Sequence, residues 1–412
     1  MSGTETAIAP GWRTGRRLAP AVLAAPGLGA VLEALEGRAF LVGGVVRNAL
    51  LGEVPGDVDL STPLRPETVT GRLEAAGLRA VPTGIEHGTV TAVAEGIGYE
   101  VTTFRADVET DGRRAVVRFS EDMAEDAMRR DLTLNALYAD AAGAVIDPLG
   151  GLGDLEARRI RFIGEPEERI REDYLRILRF FRFHALYGGG AEGPGIDADG
   201  LAACAALADG IERLARERVG HEMRKLLAAP DPAPATAAMQ ASGVLWRCLP
   251  GASAAPLAPL VHLEALAGRA ADWHVRLAAI GGEEPEEALR LSRAEARVLE
   301  RIRGALSSGL APGAAAWRHG AEAAWAAALI ATAAQPGIGQ PAPDWETLGA
   351  EIAAGAAARF PLAAGDLLAA GHAPGPAIGA ALAEAERVWL DSGFRLDKSA
   401  LLTHLGAKGQ QD

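Results

Sequence analysis

Short apolar runs and alternating stretches fill the first third of the chain, and helical periodicity takes over afterwards. Phe40-Leu41-Val42 is an apolar run that predicts a short buried strand. Gly43-Gly44 then turns the chain, and 45–51 predicts a helix closed by Gly52 at a C-cap position. Residues 57–61 predict a second strand. Side chains alternate on a strand, so Asp57 and Asp59 would point the same way. A helix is expected over 67–76. Thr89–Ala94 and 99–104 alternate and predict an antiparallel hairpin around Glu95-Gly96-Ile97-Gly98. On its second strand Val101 and Thr103 face one way, and Glu100, Thr102 and Phe104 the other.

Residues 111–114 are a polar turn or mobile loop, and 121–140 predicts a helix followed by the strand-like Ala144–Ile146. From Leu152 onward strand patterns fade. Helices are expected over 172–187, 196–207, 217–228 and 234–242. Beyond 255 the chain is Ala-rich and helical, broken by Gly/Pro stretches at 281–285, 311–313 and 335–343. No fixed-period repeat is present. The predicted architecture is α+β: a head with a mixed or antiparallel sheet and helices, followed by an all-α remainder.

Size and charge narrow the partners. At 412 residues the chain can bury a large core and divide into two or more domains. A net charge of −13 argues against coating nucleic acid non-specifically. It leaves room for a local basic patch, and residues 158–182 hold Arg158, Arg159, Arg161, Arg169, Arg171, Arg176, Arg179 and Arg182. Only Lys225, Lys398 and Lys408 are lysines, so the arginine bias accompanies the heavy Ala and Gly usage of a GC-rich genome. No apolar run is long enough to span a bilayer, which implies no membrane partner. Cys204 and Cys248 lack metal-ligand spacing, so a reduced, cytoplasmic protein is expected.

The chemistry starts at Asp57 and Asp59. Two carboxylates on one face repel each other unless a cation lies between them. Mg²⁺ suits the place, because it is held through one or two carboxylates plus substrate phosphates. The Gly43-Gly44 turn at a helix start offers backbone N–H groups to a phosphate, with Arg47 one turn further in.

Together, Gly43-Gly44-Val45-Val46-Arg47-Asn48-Ala49-Leu50-Leu51-Gly52 and Asp57-Val58-Asp59 resemble the signature of the polymerase-beta-like nucleotidyltransferases. More narrowly they resemble the class II tRNA nucleotidyltransferase and bacterial poly(A) polymerase family. Asn48 departs from that pattern, standing where the family usually has Asp, and keeps an acceptor without the charge. The resemblance implies that Glu100, in Tyr99-Glu100-Val101-Thr102-Thr103-Phe104-Arg105, faces the two aspartates as a third acidic residue. It extends to Arg129-Arg130-Asp131-Leu132-Thr133-Leu134-Asn135-Ala136, where Arg130, Asp131 and Asn135 would meet ribose and triphosphate from one or two helical turns. Asp147-Pro148-Leu149-Gly150-Gly151 matches a further motif, expected to act as a hinge between head and neck.

The other decisive segment is Glu172-Asp173-Tyr174-Leu175-Arg176-Ile177-Leu178-Arg179-Phe180-Phe181-Arg182. On a helix Asp173, Arg176 and Arg179 would share one side, and Leu175, Leu178, Phe181 and Ala185 would form a core stripe. Cytosine and adenine both show an amino donor beside a bare ring nitrogen, whereas guanine and uracil show carbonyl and N–H. A carboxylate acceptor beside a guanidinium donor therefore fits C and A. In the resembling family this segment is the protein template for CTP and ATP. Asp173 and Arg176 fall at its base-reading positions, and Arg179 and Arg182 at its triphosphate side. Glu217-Arg218-Val219-Gly220-His221-Glu222 matches the last motif, read as a neck helix bracing the template helix.

Likeness continues through Phe360–Asp366 and 386–405, as in CCA-adding enzymes, while 231–350 is weakly patterned. The resemblance thus implies an N-terminal extension with a first helix (1–37), a catalytic head (38–150), a base-recognising neck (151–230), and a tRNA-binding body and tail (231–412). It implies Mg²⁺ as cofactor, CTP and ATP as substrates, and tRNA as partner. Poly(A) polymerase is the nearest rival, and the near-neutral segment 406–412 offers no basic tail for it. The 111–114 segment fills the loop that split CC-adding forms lack. A non-catalytic RNA-binding relative would have no use for both Asp57 and Asp59.

Overall fold

The computed structural model describes all residues except 1–7, 10, 55, 112–113, 190–192, 336–342 and 409–412. The chain divides into two compact units, Met1–Pro250 and Gly251–Asp412. An eight-stranded sheet organises the first. Its strands are β1 (Arg13–Arg17), β2 (Phe40–Val42), β3 (Asp59–Thr62), β4 (Arg79–Gly84), β5 (Thr89–Ala94), β6 (Ile97–Thr103), β9 (Tyr138–Ala139) and β10 (Ala144–Ile146). β7 (Arg105–Asp111) and β8 (Arg114–Phe119) form a separate two-stranded ribbon. The order is β1-β10-β9-β2-β3-β6-β5-β4, antiparallel throughout except for the parallel pair β3–β6.

The apolar run Phe40–Val42 is buried on both faces, as a central strand must be. Alternation in β5 and β6 puts Val90, Ala92, Tyr99 and Val101 inside. The opposite face of β6 carries Glu100 and Thr102 outward. Phe104 follows β6 and stacks on Phe40 at 6.1 Å, with Tyr138 edge-on at 6.3 Å. These rings centre a core completed by Val42, Met123, Ala127, Ile146 and Ile163.

Helices of this unit are α1 (Pro20–Leu23), α2 (Leu28–Ala34), α3 (Gly44–Leu50), α4 (Pro66–Ala75), α5 (Met123–Met128), α6 (Gly151–Glu156), α7 (Pro166–Glu172), α8 (Leu175–Tyr187), α9 (Ala198–Ala206), α10 (Arg216–Leu227), α11 (Ala233–Ala241) and α12 (Val244–Cys248). The second unit is all-α. Trp389 centres one of its cores, with Trp317, Phe360 and Phe394 edge-on at 5.5, 5.3 and 4.9 Å. Among the described residues no helix is long and apolar enough to cross a membrane.

Three expectations from the sequence change. The strand expected over 57–61 begins at Asp59, so Asp57 lies in the bend before it. Pro55 and Gly56 precede it, and neither favours a ladder. The helix expected over 172–187 is broken: α7 ends at Glu172, and Asp173 is extended at φ −154°, ψ 107° before α8 begins. Asp173 therefore does not share a helix face with Arg176 and Arg179. Arg130 and Asp131 also lie outside regular helix, with Asn135 in a 3₁₀ turn, Thr133–Asn135. Within 111–114, expected as a polar turn or mobile loop, Asp111 pairs with Arg114 between β7 and β8, and Gly112 and Arg113 are outside the described residues. The 1–37 segment supplies β1, the edge strand paired with β10.

Candidate active site

A cleft of about 530 Å³ opens where the end of β2, the start of β3 and the middle of β6 meet the corner between α7 and α8. On its floor Asp59 and Glu100 sit side by side in the parallel β3–β6 register. Asp59 remains exposed to the cleft, yet partial desolvation pushes its carboxyl up, Glu100 and Asp57 add to this, and Arg130 opposes it. Asp59 thus feels both other carboxylates. Among the described residues no three His, Cys, Asp or Glu side chains are gathered closely enough to hold a metal as they stand. Asp57 is exposed and is not part of the cleft lining. Mutual repulsion at Asp59 nevertheless suits a hard divalent cation, which would lower the cost of holding the three together.

Gly43 and Gly44 form one rim. Gly43 adopts φ +69°, where a side chain is strained, and its N–H donates to the Leu137 carbonyl at 3.0 Å. Arg47, on α3, is buried yet lines the cleft. Its Nη1 donates to Asn135 Oδ1 at 2.5 Å, Nη2 to the Tyr187 hydroxyl at 2.9 Å and Nε to Asn48 Oδ1 at 3.0 Å. Tyr187 and Phe183 also flank its guanidinium, with ring centroids at 4.3 and 5.0 Å. All these partners are neutral, and burial pulls the Arg47 pKa down. Asn48, the departure from the family pattern, is thus part of the Arg47 support.

The 130–135 segment is fixed from behind. Arg130 Nη2 reaches Asp126 at 3.1 Å and Ser61 at 3.2 Å, and Nε reaches the Tyr138 hydroxyl at 3.2 Å. Tyr138 in turn donates to Asp126 at 2.8 Å. Burial pulls the Arg130 pKa down, but Tyr138 and Asp126 hold it above the ordinary value. Asp131 accepts from Arg179 Nε at 2.6 Å, Asn135 Nδ2 at 3.0 Å and the Leu132 N–H at 2.9 Å. Burial raises its pKa, and the Arg179 charge with these bonds more than offsets that, so it lies below the usual range. Asp154, in α6, accepts from Thr133 at 2.7 Å and Arg161 at 3.0 Å, which ties α6 to the same segment.

Asp173, Arg176 and Arg179 form the opposite wall. Arg176 pairs with Glu172 and donates to the Arg169 carbonyl at 2.8 Å. Asp173 pairs instead with Arg218 of α10, at 2.7 Å. Arg182 is buried, donates to Glu222 at 2.5 Å and does not line the cleft. Its expected place on the triphosphate side is therefore taken, in this structure, by a bond that fastens α8 to α10. The cleft thus gathers Asp59, Glu100, Gly44, Arg47, Arg130, Asp131, Asn135, Asp173, Arg176 and Arg179, and leaves Asp57 at its edge and Arg182 behind it. Sequence reasoning missed Asp126, Arg218 and Tyr187. Asp126 stands four residues before Arg130, a helical pairing distance that marks it. Nothing local marks Tyr187.

Fold and cleft together define a poly(A) polymerase-type head. The profile described as "Poly A polymerase head domain" matches 39–161, and that described as "Probable RNA and SrmB- binding site of polymerase A" matches 195–255. The CCA-adding enzyme of Geobacillus thermodenitrificans is 37% identical over 290 residues, which span 68% of this chain and 69% of the relative. Its likeness and the fold place this chain in the family of CCA-adding enzymes. The mitochondrial CCA tRNA nucleotidyltransferase 1 of Homo sapiens is 41% identical over 189 residues, 45% of this chain. That match spans 43% of the human protein, and the chain likewise covers a little under half of its Danio rerio counterpart, 46%. The Bacillus stearothermophilus CCA-adding enzyme, solved with CTP, superposes with a TM-score of 0.66 at 28% identity, covering 93% of this chain and 97% of that one. The Thermotoga maritima enzyme, solved with tRNA, shares the fold at 19% identity, TM-score 0.66, covering 95% of this chain and 98% of that one.

Proposed function

We propose that the protein adds C, C and A to the 3′ end of tRNA from CTP and ATP and releases pyrophosphate. The observation that carries this reading is one cleft with acidic Asp59 and Glu100 paired across β3 and β6 and an acceptor–donor pair, Asp173 and Arg176, on the opposite wall. The terminal 3′-oxygen of the RNA attacks the α-phosphorus, the bond to the β-phosphate oxygen breaks, and pyrophosphate leaves. Arg47, Arg130 and Arg179 balance the charge of the triphosphate, with Gly44 at the rim, and Asp131 and Asn135 keep Arg179 and Arg47 aimed. Asp57 and Asp59 would hold Mg²⁺, with Glu100 alongside. When bound, two such ions make the hydroxyl a better nucleophile and steady the departing pyrophosphate. Asp173 accepts from the amino group of cytosine or adenine, and Arg176 donates to the ring nitrogen beside it. Residues 231–412 are assigned to holding tRNA by shape and backbone. A cytoplasmic location fits the two free, buried thiols.

The test is incorporation of labelled CTP and ATP into tRNA lacking its 3′ end, with Asp57→Ala and Asp59→Ala alongside. Both variants should lose incorporation while still binding tRNA. Retained turnover in either would remove that carboxylate from the reaction.

A further inference from the structure

Asp173 stands outside any helix, and its direction is set by the donors its carboxylate meets. Its Oδ1 accepts the Leu175 N–H at 3.1 Å, and its Oδ2 accepts Arg218 Nη2 at 2.7 Å. One donor on each oxygen fixes the plane of a carboxylate whose terminal torsion is otherwise broad. Arg176 is held separately, by Glu172 and by the carbonyls of Arg169 and Arg129. The acceptor and the donor of the base-reading pair therefore have independent supports, and among the described residues the acceptor's side-chain hydrogen bond comes from Arg218, with the Arg179 charge also felt at Asp173.

The support is itself anchored. Arg218 and Glu222 lie one turn apart on α10, and Glu222 accepts from the buried Arg182 of α8 at 2.5 Å. Tyr174, next to Asp173, is wedged against Gly210: a Cβ there would lie 1.8 Å from Tyr174 Cδ1, and Arg213 sits 5.5 Å above the ring. Arg218 lines the same cleft as Asp59 and Asp173.

We infer that Arg218 is a specificity-determining positioning residue, which aims Asp173 at the amino group of cytosine or adenine; this rests on the base-reading role proposed above. Two lone-pair directions of the carboxylate are taken by Leu175 and Arg218, and the rest remain for the base. Uracil and guanine bring a carbonyl to the same place. They are rejected only if the carboxylate stays where it opposes that oxygen. Freed of Arg218, the carboxylate can turn away, and the rejection weakens.

The test uses the full chain and reads equilibrium binding of CTP, ATP, UTP and GTP, with kcat/KM for incorporation into tRNA. Arg218→Ala should lower the preference for CTP over UTP about tenfold, the size of one lost charge-assisted hydrogen bond. Arg218→Lys should restore part of it. A plain brace between α10 and α8 would weaken all four nucleotides together and leave the ratios unchanged, and that result overturns the proposal. If Arg218→Ala fails to fold, Arg218→Gln carries the same comparison against Arg218→Lys. Asp173→Ala separates the two levels. Relaxed selectivity in Asp173→Ala with unchanged selectivity in Arg218→Ala removes only Arg218. Unchanged selectivity in both removes the base-reading role of Asp173 itself.

Discussion

Replacing Asp126 by Asn should damage both stability and nucleotide binding without touching substrate. The Asp126 side chain is 3% exposed and that of Arg130 is 24% exposed, with 3.1 Å between the paired atoms. Asp126 also accepts from the Tyr138 hydroxyl at 2.8 Å and from the Arg105 N–H at 3.3 Å. At an effective dielectric near 20, opposite charges about 4 Å apart attract by roughly 4 kcal/mol. Breaking a buried pair from one side costs about 3–5 kcal/mol. Arg130 keeps Ser61 and Tyr138 as acceptors, so the lower end applies, about 3 kcal/mol. For a unit of 250 residues this is a fall of roughly 6–12 °C in apparent Tm. Arg130, losing one of its three anchors, should also bind nucleotide about tenfold more weakly. The assay is urea unfolding of the wild type, Asp126→Asn, Arg130→Met and the double variant, with CTP binding alongside. A coupling of about 2 kcal/mol or more is expected. Additivity within about 0.5 kcal/mol would show that the two do not act as a pair and refute the reasoning.

Other outcomes follow from the same geometry. Asp59 has a raised pKa in the folded chain, so the stability linked to its proton is present below the unfolded pKa and is lost as pH rises through the folded one. Asp59→Asn should therefore raise Tm at neutral pH in Mg²⁺-free buffer while abolishing turnover; an unchanged or lower Tm counts against the carboxylate repulsion. In the wild type, activity should fall as pH drops through that raised pKa, and higher Mg²⁺ should move the fall to lower pH, which a pH–rate series at two Mg²⁺ levels checks. Gly210→Ala should displace Tyr174 and cost about 2 kcal/mol, with looser nucleotide selectivity than a surface Gly→Ala control. Burial pushes the Cys248 thiol up to about 12 and also raises Cys204, so neither should react with a thiol reagent at pH 8 until the chain unfolds.

Periodicity and motif spacing made much of the head legible. The hairpin of β5 and β6 lies within two residues of its expected limits, because alternation and the Glu95–Gly98 turn both point to it. The break at Asp173 was invisible to periodicity, since the apolar stripe continues through Leu175, Leu178 and Phe181 as if one helix ran from Glu172. What breaks it is tertiary: Arg218 pulls on the carboxylate, and Gly210 leaves room for the Tyr174 ring. Partners distant in sequence were hidden for the same reason. Arg47 and Tyr187 are 140 positions apart, and only the fold brings them to 2.9 Å. β1 was missed because Arg13-Thr14-Gly15-Arg16-Arg17 has no apolar face to reveal an edge strand.

The most direct test is the sequence of nucleotides the protein adds to tRNA lacking its 3′ end, with all four nucleotides and Mg²⁺ supplied. Two C residues followed by one A, then arrest, with no G or U, is the predicted product. A lengthening run of A, on tRNA and unrelated RNA alike, would contradict CCA addition and make the protein a poly(A) polymerase built on the same cleft.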